Sequence, residues 1–170
     1  CQVTTLDDLS SGHRDAVLHG EFVQGHCGDR QLLDRVLAAG FDAVMHFASF
    51  IQVGESVLHP EKYYANNLVH TLTLLDAMRA HGVNKFIFSS TAATFGEPLH
   101  TPIDEQHPQN PINPYGRTKW MVEQVLADYE RAYGLTSVSL RYFNAAGADP
   151  EGQLGERHDP ETHLIPLVLQ

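Results

Sequence analysis

Residues 113–126 read Asn113-Pro114-Tyr115-Gly116-Arg117-Thr118-Lys119-Trp120-Met121-Val122-Glu123-Gln124-Val125-Leu126, and this stretch decides the fold. Asn113 is an N-cap residue, and Pro114 suits the first helical position, where its missing N–H costs nothing. Met121, Val122, Val125, Leu126 and Tyr129 recur at three- and four-residue spacing, a buried stripe that Gly134 ends. β-rich runs flank this helix: Phe86 to Ser90 before it, Ser137 to Tyr142 after it. Strand, helix and strand in that order predict a parallel βαβ unit.

The alternation continues upstream. Val3 to Leu6, Phe22 to Gln24 and Ala43 to Phe47 read as strands. Asp29 caps a helix with periodic Leu32, Leu33, Val36 and Leu37, stopped by Gly40. Pro60 to His81 reads as one long helix carrying Leu68, Leu72, Leu75 and Met78, closed by Gly82. Pro98, Pro102, Pro108, Pro111 and Pro114 forbid regular structure between Gly96 and Pro114. A loop that long is usually functional. From Asn144 onward, Gly147, Pro150, Gly152, Gly155 and Pro160 predict a second irregular stretch, and Leu164 to Leu169 a further element. The expected fold class is α/β, a doubly wound parallel sheet.

Composition narrows the function. The chain has 170 residues, 42% of them hydrophobic, with 11 Lys+Arg against 21 Asp+Glu and a net charge of −10. That is enough apolar material for a core. An acidic chain with so few cations lacks the clustered Lys and Arg that displace counterions from nucleic acid or dock on anionic membranes. Its longest apolar runs, such as Phe86-Ile87-Phe88, fall far short of the roughly 20 residues a bilayer span requires. No signal-peptide pattern is read at the start. Cys1 and Cys27 make neither a disulfide framework nor a Cys-x-x-Cys pair, consistent with a reducing cytoplasm. The 11 histidines show no metal-ligand spacing, so no metal is expected.

Tyr115 and Lys119, four residues apart, share one helix face. A phenol is a poor base at neutral pH, and a neighbouring ammonium favours its phenolate and lowers its pKa. The strand before ends in Phe88-Ser89-Ser90-Thr91, hydroxyls at the carboxyl end of a parallel strand, where ligands of open α/β sheets bind. Such a cluster is also an ordinary strand-end cap. Met45-His46-Phe47-Ala48-Ser49 ends an earlier strand with small residues that admit a flat ligand. Asp7 stands where dinucleotide folds keep an acid for the ribose hydroxyls, which favours NAD over NADP; Asp7-Asp8 is equally an ordinary turn.

Together these residues resemble the extended short-chain dehydrogenase/reductase family, most closely its UDP-glucose 4-epimerase branch. The resemblance spans nearly the whole chain and rests further on Leu6-Asp7-Asp8-Leu9, Val53-Gly54-Glu55-Ser56-Val57, Tyr63-Tyr64-Ala65-Asn66-Asn67, Phe88-Ser89-Ser90-Thr91-Ala92 and Leu140-Arg141-Tyr142-Phe143-Asn144. It implies a Rossmann-like domain over residues 1–143 and the start of a small substrate-binding region over residues 144–170. It also implies tightly bound NAD and a UDP-sugar whose 4-hydroxyl is oxidised to a ketone and reduced on its opposite face. Tyr115 is then the base, and Lys119 holds the nicotinamide ribose and depresses the Tyr115 pKa. Thr91 hydrogen-bonds the sugar oxygen. Asn144 contacts the sugar or its first phosphate, and Phe143 sits against the cofactor. Phe47, Ala48 and Asn66 line the cofactor groove, with Asp7 and Asp8 near the adenosine ribose. A homodimer is implied as well.

The chain also departs from the family pattern. Gly25-His26-Cys27 replaces the acid many members set against the adenine. Ser49-Phe50-Ile51 lacks the lysine some place near the phosphates. Thr162-His163-Leu164 stands where some use paired Asn residues, leaving His163 to hydrogen-bond the nucleotide. The Gly-rich phosphate-binding turn of dinucleotide folds is absent from these residues. The strand that precedes it is the central one in the order 3-2-1-4-5-6, so the sheet is expected to be split, and the 170 residues alone unstable and inactive. Rival readings are a nucleotide-sugar 4,6-dehydratase, disfavoured because Ala92-Ala93 offers no acid after Thr91, another nucleotide-sugar C4 epimerase, and a non-catalytic NAD-binding sensor.

Overall fold

The computed structural model describes residues 1–147, 149–159, 161 and 163–169. Pro160 and Thr162, named above, lie outside the described residues. The chain divides into two compact units, Cys1–Gln24 with Asn144–Gln170, and Gly25–Phe143.

In the first unit, β1 (Thr4–Asp7) pairs in parallel with β2 (Glu21–Gln24), Thr4 opposite Glu21 and Asp7 opposite Gln24. A short 3₁₀ turn, Arg14–Ala16, lies between them, and the Arg14 guanidinium stacks 4.6 Å over the Phe22 ring.

The second unit carries β3 (Val44–His46), β4 (Lys85–Thr91) and β5 (Thr136–Tyr142) as a parallel sheet in the order β3-β4-β5. Val44 lies opposite Phe86, and Thr91 opposite Tyr142. The expected parallel sheet is thus present as two separate ladders, one in each unit. Helix α1 (Arg30–Leu37) starts where Asp29 accepts a hydrogen bond from the Leu32 N–H at 3.1 Å, the N-cap read from the sequence. Leu33, Leu37, Leu74, Leu75, Met78, Phe86, Phe88, Val122 and Leu126 are buried in the core of this unit.

Residues 60–81 correct the sequence reading. A helix not foreseen, α2 (Val53–Leu58), precedes α3 (Pro60–Tyr63). The chain then widens into a π-helical stretch over Tyr64–Val69 before α4 (His70–Ala80). Leucine spacing alone cannot reveal this widening, because it follows from a tertiary demand. Asn67 in the π stretch is buried, its side chain donating to the Phe50 carbonyl and accepting from the Phe50 N–H, at 3.0 and 2.9 Å.

Helix α5 runs from Pro114 to Tyr133. Asn113 accepts from the Gly116 N–H at 2.8 Å, and Gly134 ends the helix in the left-handed conformation, φ 71°. Its buried face differs from the predicted stripe. Val122 and Leu126 are buried, but Met121, Val125 and Tyr129 are only partly so. Gly116, Thr118, Lys119 and Glu123 complete the buried face, because α5 presents polar groups to the end of the sheet. Among the described residues, no helix is long and apolar enough to cross a membrane.

Candidate active site

Tyr115 sits in the first turn of α5, against the exit of β4. Gly116 permits that approach, since a Cβ there would lie 2.5 Å from the Ala93 carbonyl oxygen. Thr91, the last residue of β4, accepts from the Ala93 N–H at 3.1 Å, and its hydroxyl is placed to favour the Tyr115 phenolate. Burial pushes the Tyr115 phenol above its ordinary pKa, and the Thr91 hydrogen bond opposes that rise.

Lys119 is 2% exposed. Its Nζ donates to Ser49 Oγ at 2.6 Å and to the Ser89 carbonyl at 2.8 Å, and lies 4.9 Å above the Phe88 ring. Removal from water lowers its pKa from 10.5 to about 7. Its ammonium donates to Ser49 and Ser89 and lies 6.0 Å from the Tyr115 ring centre.

The other expected residues of this unit are exposed or half-buried. Phe47 and Ala48, just past β3, are exposed, and so is Phe143, just past β5. Asn66 is half-buried in the π stretch and donates to Asn67 Oδ1 at 3.0 Å. The sequence places Ser49, Ser89 and Asn67 inside motif runs without a role of their own, and offers none for Glu123. Glu123 alone carried a usable signal, standing four residues past Lys119 on the same face; its carboxylate is buried among Ser90, Gln109 and Arg141.

Asp7, Asp8, Asn144 and His163 belong to the first unit. Asp7 and Asp8 accept from the Leu9 and Ser10 N–H groups at 2.7 and 2.9 Å, so the pair builds a turn, with Leu9 at φ 62°. Gly12 packs against the Asp7 carboxylate, where a Cβ would meet Oδ1 at 2.8 Å. Asn144 is exposed. His163 Nδ1 faces Glu161 at 2.8 Å and Glu156 at 2.9 Å, and His158 joins the same two carboxylates. No metal-ligand spacing along the chain signals this cluster of Glu156, His158, Glu161 and His163, whose four ligating atoms lie within 4.8 Å of one another.

Known proteins share this chain's sequence and fold. A UDP-glucose 4-epimerase of Rhizobium leguminosarum bv. trifolii is 57% identical over 165 residues, 96% of this chain and 50% of that protein. The structure of a UDP-glucose 4-epimerase from Brucella ovis in complex with NAD superposes with a TM-score of 0.95 at 54% identity, over 96% of this chain and 51% of that one. A UDP-glucose 4-epimerase from Bifidobacterium longum, in complex with NAD+ and UDP, gives 0.89 at 40% identity over 92% and 50% of the two chains. The chain spans about half the length of the curated relatives it matches. A phenol, a hydroxyl and a buried ammonium gathered at the carboxyl ends of parallel strands agree with a family match extending over residues 1–170, and the chain belongs to the NAD dependent epimerase/dehydratase family.

Proposed function

We propose that the complete gene product is a UDP-glucose 4-epimerase, interconverting UDP-galactose and UDP-glucose with NAD held throughout. The observation that carries this reading is the buried Lys119 ammonium one helical turn past Tyr115 on α5, with Thr91 acting on the phenol from the end of β4. Relatives and solved structures named for the same activity support it.

The residues present fit NAD. Lys119 carries three N–H donors, of which two go to the neutral acceptors Ser49 and Ser89. Among the described residues no carboxylate pairs with it, so its third donor and its charge suit the nicotinamide ribose. In this reading Phe47, Ala48, Asn66 and Phe143 line the cofactor groove, and the Asp7 and Asp8 carboxylates suit the adenosine ribose hydroxyls. Bound NAD supplies a two-electron acceptor and donor for carbon 4 of the sugar.

The chain's own residues move and hold the proton. Tyr115 takes it from the sugar 4-hydroxyl as that carbon becomes a ketone and returns it to the opposite epimer, with no net redox change. Thr91 holds the phenol and the sugar oxygen in line. Asn144 and His163 serve the sugar nucleotide, in a substrate-binding region over residues 144–170 that follows a cofactor domain over residues 1–143. The working protein is a cytoplasmic homodimer with a UDP-sugar as its partner and no role for nucleic acid.

Tyr115→Phe in the complete gene product tests the reading. It is expected to bind NAD and to lose turnover of UDP-galactose by about 10²–10⁴-fold, the range for a general acid–base group. Turnover at the wild-type rate overturns it.

A further inference from the structure

Glu123 lies on the buried face of α5, four residues past Lys119 and eight past Tyr115, and its side chain is 7% exposed. Every acceptor position of its carboxylate is used. Oε1 accepts from Ser90 Oγ at 2.5 Å and from Arg141 Nε at 3.1 Å; Oε2 accepts from Arg141 Nη2 at 2.7 Å and from Gln109 Nε2 at 2.9 Å. Arg141 is in turn stacked 5.2 Å over the Phe95 ring.

The donors come from three different segments. Ser90 immediately precedes Thr91 on β4, and Arg141 lies two residues before Phe143 on β5. Gln109 belongs to the proline-rich loop between β4 and α5. One carboxylate therefore ties together β4, β5 and the loop, on the helix that presents Tyr115 and Lys119.

Stability is a weak reason to keep such an arrangement. Burying an ion pair costs desolvation that its attraction only roughly offsets, and an apolar pair of similar volume is often as stable. What an apolar pair cannot reproduce is direction, since hydrogen bonds from three side chains converging on two oxygens fix the relative placement of strand ends and helix. We propose that Glu123 is a positioning residue, which through Ser90 and Arg141 sets Thr91 and the end of β5 against Tyr115. Glu123 touches none of the reacting atoms and acts through its neighbours. The inference rests on the epimerase reading for its kinetic consequence only.

The test uses the complete gene product with NAD bound. Glu123→Gln puts an N–H₂ against Arg141 and Gln109, and is expected to lower kcat about tenfold or more while changing KM much less, since a displacement near 1 Å costs up to about 100-fold in rate. The double variant Glu123→Met with Arg141→Met separates positioning from stability. It is expected to regain thermal stability and to stay about tenfold low in kcat. Wild-type kcat in the folded double variant overturns the proposal. Ser90→Ala keeps the ion pair and removes only the tie beside Thr91. It is expected to melt near the wild type with reduced kcat, and wild-type kcat overturns the proposal too.

One further readout needs no turnover. Ionisation of Tyr115, read as phenolate absorbance against Tyr115→Phe, is expected to move to higher pH in Ser90→Ala and Glu123→Gln as the Thr91 hydrogen bond loosens. An unmoved titration overturns the positioning role, whatever sugar the enzyme acts on. Failure of wild type to turn over any UDP-sugar instead overturns the epimerase reading and leaves this measurement standing.

Discussion

Lys119 Nζ lies 2.6 Å from Ser49 Oγ, a contact made across 70 positions of chain, and the pair joins the end of β3 to the helix that carries Tyr115. The ammonium has gone where two neutral oxygens meet it and little water does, which is why its pKa falls to about 7.

That burial has a signature in stability. The folded pKa of Lys119, about 7, lies below the ordinary 10.5. Below pH 7 the lysine is charged in both states and the folded chain bears the full desolvation cost. Between 7 and 10.5 the folded chain has released the proton and the unfolded chain has not, so stability rises with pH through that window, by up to about 1.4 kcal/mol per unit. Lys119→Met is expected to lose this rise along with cofactor binding. Urea midpoints at neutral and alkaline pH check it, and equal slopes in both proteins contradict it.

Tyr115 titrates in the opposite sense. Burial holds the phenol above its ordinary value of 10.0, with Thr91 opposing the rise. Phenolate absorbance of the cofactor-free protein, with Tyr115→Phe subtracted, is expected to show ionisation above that value. Thr91→Val removes the opposing hydrogen bond and is expected to shift the ionisation further up; a downward shift sinks the assignment.

His46 is buried against Phe86 and Phe88 with its Nε2 2.9 Å from Thr71 Oγ1, and burial lowers its pKa to about 3, with the Lys119 charge adding to the fall. As pH falls below the ordinary 6.5, the unfolded chain takes up a proton that folded His46 refuses until about 3. Stability therefore drops across that window, by up to about 1.4 kcal/mol per unit. His46→Gln keeps a polar partner for Thr71 and does not titrate. It is expected to lose less stability than wild type between about pH 6 and 4.

Gly116→Ala puts a methyl group 2.5 Å from the Ala93 carbonyl oxygen, a backbone atom that cannot swing aside. Alanine favours the helix by about 1 kcal/mol, but relieving the clash costs about 1–3 kcal/mol and moves the first turn of α5 off β4. The variant is expected to melt lower and to lose more kcat than stability, because Tyr115 and Thr91 separate. Unchanged kcat and melting would contradict the packing role of this glycine.

Much of the fold was legible from local chemistry. Asn113 caps α5 and Asp29 caps α1 because a side-chain oxygen two or three residues from a free N–H needs no help from the rest of the molecule. Gly134 ends α5 for an equally local reason, the left-handed conformation that glycine adopts freely. Tyr115 and Lys119 share a face because residues four apart on any helix do.

Tertiary structure decided the rest. Which acceptors the Lys119 ammonium meets, Ser49 and Ser89 rather than the phenol, depends on how β3 and β4 align in register, and no spacing along the chain encodes that. The π-helical stretch places the buried Asn67 amide on the Phe50 backbone, 17 positions away, a long-range contact to which the leucines on either side, keeping a helical rhythm, give no clue. Glu123 reads in the sequence as one more helical carboxylate, and only the convergence of Ser90, Gln109 and Arg141 makes it a fixed point of the site. By itself the sequence determined which groups are available and which share a face, through contacts within one or two turns. Their partners, burial and proton affinities came from strand register and helix packing, which bring distant residues together and exclude water between them.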